Sequence, residues 1–140
     1  MSRRMIDRLD PELAGPVRMM IDMRGGGVDL YDIPAARAAG EQMMTAMKEE
    51  MPVIEGVITE DRHIPGPGEA PDVAVRIYRP VHRPGRLPAL LWIHGGGYIL
   101  GNIEQEDIPA KELTLAGECV VATVEYRLAP EHPFPAPLED

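Results

Sequence analysis

Two helices are predicted in the first third of the chain, from start signals and from the spacing of apolar residues. Asp10 and Pro11 begin the first, which runs to about Met23, because aspartate caps free N–H groups and proline fits the first helical position. The sequence Asp-Ile-Pro at residues 32–34 begins the second, which we expect to reach Met51. Its apolar residues form one stripe at three- and four-residue spacings: Ala36, Met43, Met44, Met47 and Met51. These methionines either fill core gaps or form a deformable lid over an apolar ligand.

From Val53 the pattern changes to strands. Residues 53–66 and 73–80 flank a loop rich in proline and glycine, so they are predicted to pair as a hairpin. In the second strand Val73, Val75 and Ile77 alternate with the residues between them. This alternation is typical of a strand with two different faces.

A strand, a helix and a second strand are predicted to follow. Residues 89–93 and 119–126 are nearly continuous apolar runs, typical of parallel strands covered on both faces. Residues 104–118 predict the crossover helix between them, ended by Gly117. We expect its inward face to contain Ala110, Leu113, Leu115 and Ala116.

Composition narrows the classes of function. The 140 residues carry a net charge of -9 without a lysine and arginine cluster, which argues against nucleic acid or an anionic membrane as partner. No stretch approaches the eighteen or so apolar residues of a membrane span, and a cytoplasmic protein is the expectation. The single cysteine, Cys119, excludes an internal disulfide and is expected in the core. Neither a metal site nor a cofactor site is predicted.

Three consecutive glycines follow the apolar strand at residues 89–93, in the sequence His94-Gly95-Gly96-Gly97. Glycine leaves the backbone N–H open to a ligand and reaches dihedral angles closed to other residues. Acyl transfer needs such preset donors, because a carbonyl oxygen becomes an oxyanion in that reaction. A phosphate-binding loop is disfavoured, since neither G-x-G-x-x-G nor Gly-Lys-Ser/Thr occurs. Another triple glycine, residues 25–27, follows no strand and is interpreted as a linker.

A second motif, YRLAPEHPFPA, begins at Tyr126, where the last predicted strand ends. Its prolines predict a rigid, extended loop, after which Leu138 begins a helix. The pair HGGGY and YRLAPEHPFPA resembles the hormone-sensitive-lipase-like family of α/β-hydrolases, also called the α/β-hydrolase fold-3 group. The segment DRHIPGPGEAPDVAVRIYRP is similar to the first hairpin of that family, and the opening helices resemble its cap.

The resemblance implies an α/β fold, the N-terminal part of an α/β-hydrolase, with residues 1–51 as a helical cap segment and 52–140 as the first part of the core. It also implies an esterase or lipase that acts on short- to medium-chain carboxylic esters through a Ser-Asp-His triad. The N–H groups of Gly96 and Gly97 then stabilise the oxyanion, Gly95 shapes the turn and His94 supports the loop without acting as the base. Tyr98 either lines the pocket mouth or belongs to the core.

Two charged residues of the proline-rich loop have two interpretations. Arg127 and Glu131 either brace it or form an ordinary surface ion pair. The other histidines, His63, His82 and His132, are interpreted as surface or structural residues.

The chain departs from the family because the triad is absent. Its only serine is Ser2, without a Gly-x-Ser-x-Gly context, and neither its threonines nor Cys119 have a paired histidine. We therefore expect an incomplete hydrolase that is inactive by itself. Its open apolar edge at residues 89–93 favours self-association or a complementary C-terminal half. The alternative is a non-catalytic module that binds an apolar ligand or a partner chain.

Overall fold

The computed structural model describes residues 8–23, 29–47 and 50–140, so that Ser2 and the glycines at 25–27 lie outside the described residues. Two compact units divide the chain, one up to Ala38 and one from Ala39 onward. The elements are helix α1 (Pro11–Met23), helix α2 (Ile33–Met47), strands β1 (Val57–Ile64), β2 (Val73–Pro80) and β3 (Ala89–Trp92), a 3-10 turn (Ile103–Glu106), helix α3 (Asp107–Ala116), strand β4 (Val120–Glu125) and a short helix α4 (Ala136–Glu139). The predicted division at residue 51 stays a prediction.

Both predicted aspartate caps are present at the first two helices. Oδ1 of Asp10 accepts a hydrogen bond from the N–H of Glu12 at 2.9 Å, and Oδ1 of Asp32 accepts one from Ala35 at 3.0 Å. Helix α2 ends at Met47, four residues before the predicted end, so Met51 does not extend its stripe. None of the side chains described in α2 is fully buried.

The four strands form one mixed sheet in the order β1-β2-β4-β3. Strands β1 and β2 form the predicted antiparallel hairpin, with Val57 opposite Pro80 and Ile64 opposite Val73. Strand β4 pairs antiparallel with β2 and parallel with β3. The predicted strand, crossover helix and strand are therefore confirmed as β3, α3 and β4. Helices on a mixed sheet are the architecture expected for this first part of an α/β-hydrolase fold.

The core lies between the sheet and α3. Its buried members are Tyr78, Ala110, Cys119 and Val121, and Trp92 packs against them. Cys119 is thus a core residue, as predicted. The hydroxyl of Tyr78 is buried without a hydrogen-bond partner among the described residues, and burial raises its pKa to about 12.

The inward face of α3 differs from the prediction at its C-terminal end. Ala110 and Thr114 are buried and Leu113 is half-buried, as the i, i+3, i+4 spacing of a helix requires. Leu115 and Ala116 are exposed instead, because they lie on the other side of the last turn. Thr114 is tolerated in the core since its hydroxyl donates to the carbonyl of Ala110 at 2.8 Å.

The apolar run of β3 is typical of a strand covered on both faces, yet in this chain it forms the open apolar edge predicted for residues 89–93. Leu90, Leu91 and Ile93 are exposed, with Leu91 at 62%. The reason is the position of β3, which lies at the end of the sheet and, among the residues that the structure describes, pairs with β4 alone. The edge of the sheet at β3 is therefore open and apolar. Among the described helices, none has the length and apolar character needed to span a membrane.

Candidate functional site

The glycine loop, residues 94–101, begins just after β3, and Tyr126 follows directly after β4. Because β3 and β4 are parallel, their carboxyl ends meet at one edge of the sheet, where ligands bind in open α/β sheets. His94 is only 4% exposed, whereas the three glycines after it are exposed. The loop therefore starts at a buried histidine and continues in exposed glycines.

His94 and Tyr126 hold the start of this loop. Their rings stack with centroids 4.2 Å apart and an interplanar angle of 12°. The Tyr126 hydroxyl donates to the His94 carbonyl at 2.8 Å, and Nδ1 of His94 lies 2.9 Å from the Gly95 carbonyl. A carbonyl oxygen only accepts, so Nδ1 carries the proton and donates. The other ring nitrogen, Nε2, is buried with no hydrogen-bond partner in the part of the chain that the structure describes.

The next carbonyl of the loop is also held. The Gly96 carbonyl accepts from the N–H groups of Ile99 at 3.2 Å and Leu100 at 3.0 Å. In a planar trans peptide the N–H points away from the carbonyl, so anchoring the Gly96 carbonyl fixes the direction of the Gly97 N–H. The same reasoning applies to the N–H groups of Gly95 and Gly96, whose peptide carbonyls are anchored as described above. None of the three N–H groups donates to a backbone carbonyl within residues 50–140.

Glycine is required at two positions of the loop by close approach. At Gly96, with φ 129°, a Cβ would lie 2.0 Å from the Leu100 carbonyl oxygen. At Gly101, with φ 96°, a Cβ would lie 2.4 Å from Nδ1 of His94 and 2.5 Å from the Gly95 oxygen. Gly101 is not among the predicted site residues, yet its lack of a side chain makes room for the hydrogen bond that His94 donates.

Tyr98 follows the glycines with a positive φ of 63°, which is uncommon for a residue with a side chain. It is 55% exposed and therefore not a core residue. Its ring meets Tyr126 edge-on, with centroids 5.9 Å apart, and its carbonyl accepts from the N–H of Ala129 at 2.9 Å. Both residues that flank the glycines thus contact the ring of Tyr126.

The chain leaving the loop is tied to the neighbouring strands. The side chain of Asn102 caps the 3-10 turn, and the N–H of Ile103 donates to the carboxylate of Glu125 at 2.7 Å. The indole N–H of Trp92 donates to Glu106 at 2.5 Å. These bonds tie the segment that leaves the glycine loop to β3 and β4.

Arg76 connects the same turn to the hairpin. Its guanidinium donates to Asp61 of β1 at 2.6 and 2.9 Å and to Glu104 of the 3-10 turn at 2.8 Å. The hydrogen bond from Arg76 lowers the pKa of Asp61, and these two carboxylates raise the pKa of Arg76. Asp61 and Arg76 therefore stay charged at neutral pH, which maintains the link between β1 and β2.

The proline-rich loop is braced by Arg127, as the resemblance implies, and its partner is Asp140. The N–H of Arg127 donates to Asp140 at 2.8 Å, and Nη2 does so at 2.7 Å. The bond to Arg127 lowers the pKa of Asp140. The predicted role of Glu131 stays a prediction.

The remaining candidate side chains lie away from the glycine loop or at the surface. His63, His82 and His132 are exposed, and His63 lies within β1. Over the described residues, no group of three histidine, cysteine or carboxylate side chains is close enough to hold a metal ion.

Comparisons with known proteins agree with this fold. Residues 90–140, which include the glycine loop and the proline-rich loop, match the family described as alpha/beta hydrolase fold. An AB hydrolase superfamily protein of Schizosaccharomyces pombe is 35% identical over 96% of the chain and 40% of its own length. The carboxylesterase NlhH of Mycobacterium tuberculosis is 32% identical over 93% of the chain and 40% of its own length.

Solved structures give the same result. The structure titled bacterial heroin esterase superposes with a TM-score of 0.81 at 38% identity, over 96% of this chain and 41% of that one. The chain spans about two fifths of the length of the curated relatives it matches, since each is covered to 40%. Over that span, the chain has the α/β-hydrolase fold and is similar to carboxylesterases and other members of that family.

Proposed function

We propose that this chain supplies the oxyanion-binding part of a carboxylic ester hydrolase that acts on short- to medium-chain esters. One observation carries the proposal: three adjacent glycines are exposed, and their N–H groups are unpaired with any backbone carbonyl of residues 50–140 and held in direction by anchored carbonyls. Relatives named as carboxylesterases support the same chemistry.

In the proposed reaction the N–H groups of Gly96 and Gly97 donate to the substrate carbonyl oxygen as it becomes an oxyanion. Charge on that oxygen is largest in the transition state, so donors preset for it accelerate the reaction more than they strengthen substrate binding. Gly95 shapes the turn and His94 supports it. Tyr98, exposed beside the loop, lines the mouth of the substrate site.

His94 is not the general base in this proposal. Its Nδ1 donates to the Gly95 carbonyl, and its ring is buried against Tyr126. A general base must reach the nucleophile within hydrogen-bond distance. A buried imidazole that already donates to the backbone is badly placed to reach a nucleophile. This favours the role of His94 in holding the loop.

We propose that the triad comes from residues other than these 140, because the only serine, Ser2, has no Gly-x-Ser-x-Gly context and the acid and base of the resembling family follow its nucleophile. We therefore propose that these residues alone are inactive. Loss of the nucleophile from a triad costs about a million-fold, and one oxyanion donor is normally the N–H after the nucleophile. The exposed edge of β3 is the proposed contact for the complementary half or for a second copy of the chain.

The alternative of a non-catalytic module draws its support from exposed apolar side chains on α1, among them Leu13, Met19 and Met20. Such side chains fit an apolar ligand or a protein partner. A non-catalytic module predicts binding by the 140 residues without hydrolysis by any longer form of the protein.

Hydrolysis of a short-chain nitrophenyl ester tests these proposals. It is measured for the full-length gene product, for the 140-residue chain and for Gly96→Pro variants of both. We expect activity only in the full-length protein, with loss in its Gly96→Pro variant. Activity of the 140-residue chain above its own variant would contradict the proposed inactivity. A full-length protein that hydrolyses no ester would contradict the proposed reaction and favour the binding module.

A further inference from the structure

Tyr126 is the common packing surface for the two residues that enclose the triple glycine. Its ring stacks on His94 at 4.2 Å and meets Tyr98 edge-on at 5.9 Å. It is only 5% exposed, and it follows β4 directly, so the sheet determines where the ring lies. The glycines therefore span a gap between two side chains that rest on one ring.

The hydroxyl of Tyr126 adds a directional contact to this packing. It donates to the His94 carbonyl at 2.8 Å and so fixes the peptide plane that carries the Gly95 N–H. Burial raises the pKa of Tyr126 above its usual value, so the hydroxyl keeps its proton at any ordinary pH.

The next peptide plane depends on Tyr126 through His94. The stacked ring holds the imidazole in one orientation, and from there Nδ1 donates to the Gly95 carbonyl at 2.9 Å. That bond fixes the plane carrying the Gly96 N–H. Two of the three fixed planes thus depend on one tyrosine, one directly and one through the histidine.

Resting on the proposed ester-hydrolase function, we propose that Tyr126 is a positioning residue that aims the Gly96 N–H at the substrate oxygen by holding His94. Tyr126 itself does not touch the substrate. The loop after it contributes at the far end of the glycines, where the N–H of Ala129 donates to the carbonyl of Tyr98. The YRLAPEHPFPA motif, which contains Tyr126 and Ala129, therefore orients the HGGGY motif.

Two substitutions separate the hydroxyl from the ring. Tyr126→Phe removes the hydrogen bond to His94 and keeps both ring contacts, so the variant is expected to fold. Tyr126→Leu removes the ring contacts as well. Tyr31→Phe is the matched control, because Tyr31 is fully exposed and loses the same atom.

Steady-state ester hydrolysis by the full-length protein gives the first measurement. In Tyr126→Phe we expect kcat to fall about fivefold with KM within twofold, because a backbone donor that is less well aimed matters most in the transition state. A fivefold loss is about 1 kcal/mol, a typical net value for one hydrogen bond. Tyr126→Leu should lower kcat further, and Tyr31→Phe should leave it unchanged.

The second measurement does not depend on activity. Order parameters from 15N relaxation are recorded for Gly95, Gly96 and Gly97, with strand β4 as internal reference. We expect values near the rigid backbone level of about 0.85 in the wild type and a fall at Gly95 and Gly96 in the two Tyr126 variants. Gly97 should keep its value in Tyr126→Phe, because its peptide plane is held by Ile99 and Leu100.

The two measurements distinguish the possible failures. If the full-length protein hydrolyses no ester but the order parameters fall, the proposed reaction is wrong and the positioning by Tyr126 stands. If hydrolysis occurs and both kcat and the order parameters stay unchanged in Tyr126→Leu, the inference is overturned. A rise in KM with unchanged kcat would also overturn it, because that pattern indicates substrate contact rather than positioning.

Discussion

Replacing Gly96 with alanine tests the loop geometry most directly. The new Cβ would lie 2.0 Å from the Leu100 carbonyl oxygen, and real Cβ atoms essentially never approach a heavy atom within 3.0 Å. Relief requires a displacement of at least about 1 Å of the backbone that carries the proposed donors. Misplacement on this scale costs about a hundredfold in rate, and loss of one oxyanion donor about a hundred- to a thousandfold. We therefore expect kcat of the full-length protein to fall by about a hundred- to a thousandfold.

A pair of milder variants separates general backbone strain from strain placed at a proposed donor. Gly97 and Gly68 have φ values of 63° and 60°, and an added Cβ would meet nothing within 4 Å at either position. Gly97→Ala and Gly68→Ala should therefore lower the free energy of unfolding by a similar amount, about 1 to 2 kcal/mol. Only the Gly97 variant is expected to lower kcat.

The assay combines nitrophenyl ester kinetics with denaturant unfolding, so that rates are compared at equal folded fraction. Because the donors act on charge that is largest in the transition state, KM should change much less than kcat. The reasoning is refuted if Gly96→Ala turns over within twofold of the wild type. It is also refuted if Gly68→Ala loses as much activity as Gly97→Ala.

Three further predictions concern stability and association. Leu91→Lys should shift the 140-residue chain toward the monomer in sedimentation, since a charge on the open β3 edge opposes strand pairing; a wild type that is already monomeric contradicts this. The pKa of Tyr78 is raised to about 12 from 10.0, so the stabilisation that depends on its protonated hydroxyl is fully present below pH 10. Between pH 10 and 12 the free energy of unfolding should fall by up to about 2 to 3 kcal/mol. Unfolding of Tyr78→Phe should lack this alkaline loss, and equal pH profiles would show that another group titrates. The pKa of Asp140 is lowered from 3.8 by Arg127, so its contribution to the free energy of unfolding is present above pH 4 and is lost as pH falls below that value. Asp140→Asn should unfold with less dependence on pH between 2 and 5, and an unaltered acid profile would count against the pairing.

The order of elements could be predicted because its signals are local. Asp10 and Asp32 cap the first helices, the loop between β1 and β2 contains the turn residues, and the apolar runs on either side of α3 form the parallel pair. Each of these signals depends on a few neighbouring residues, so it is readable without knowledge of the rest of the fold.

Burial could be predicted less well because it depends on neighbours in space. Leu91 has the apolar character of a central strand, yet it is exposed because β3 lies at the end of the sheet. Leu115 is expected to face inward because its side chain is apolar, but its position in the last turn of α3 places it outside. In both cases composition identifies a residue that could be buried, and only the arrangement of elements decides whether it is.

The predicted candidate site was likewise incomplete. The triple glycine identifies its donors by type, but the contacts of Gly101 and Tyr126 with His94 have no periodic signature in the sequence. A glycine three residues after Tyr98 is the one local signal for Gly101. Tyr126 has a motif around it, but the motif does not indicate which group its hydroxyl meets.

The contact between Tyr126 and His94 joins residues 32 positions apart, and this separation has a consequence for how the site assembles during folding. Closing so long a loop is entropically costly, so the contact forms only when β3 and β4 pair and α3 packs across them. The donors are therefore aligned after the sheet forms. A peptide containing HGGGY alone carries the same glycines with no fixed orientation, and a transplant of this loop into another protein needs the whole β3, α3 and β4 unit with it.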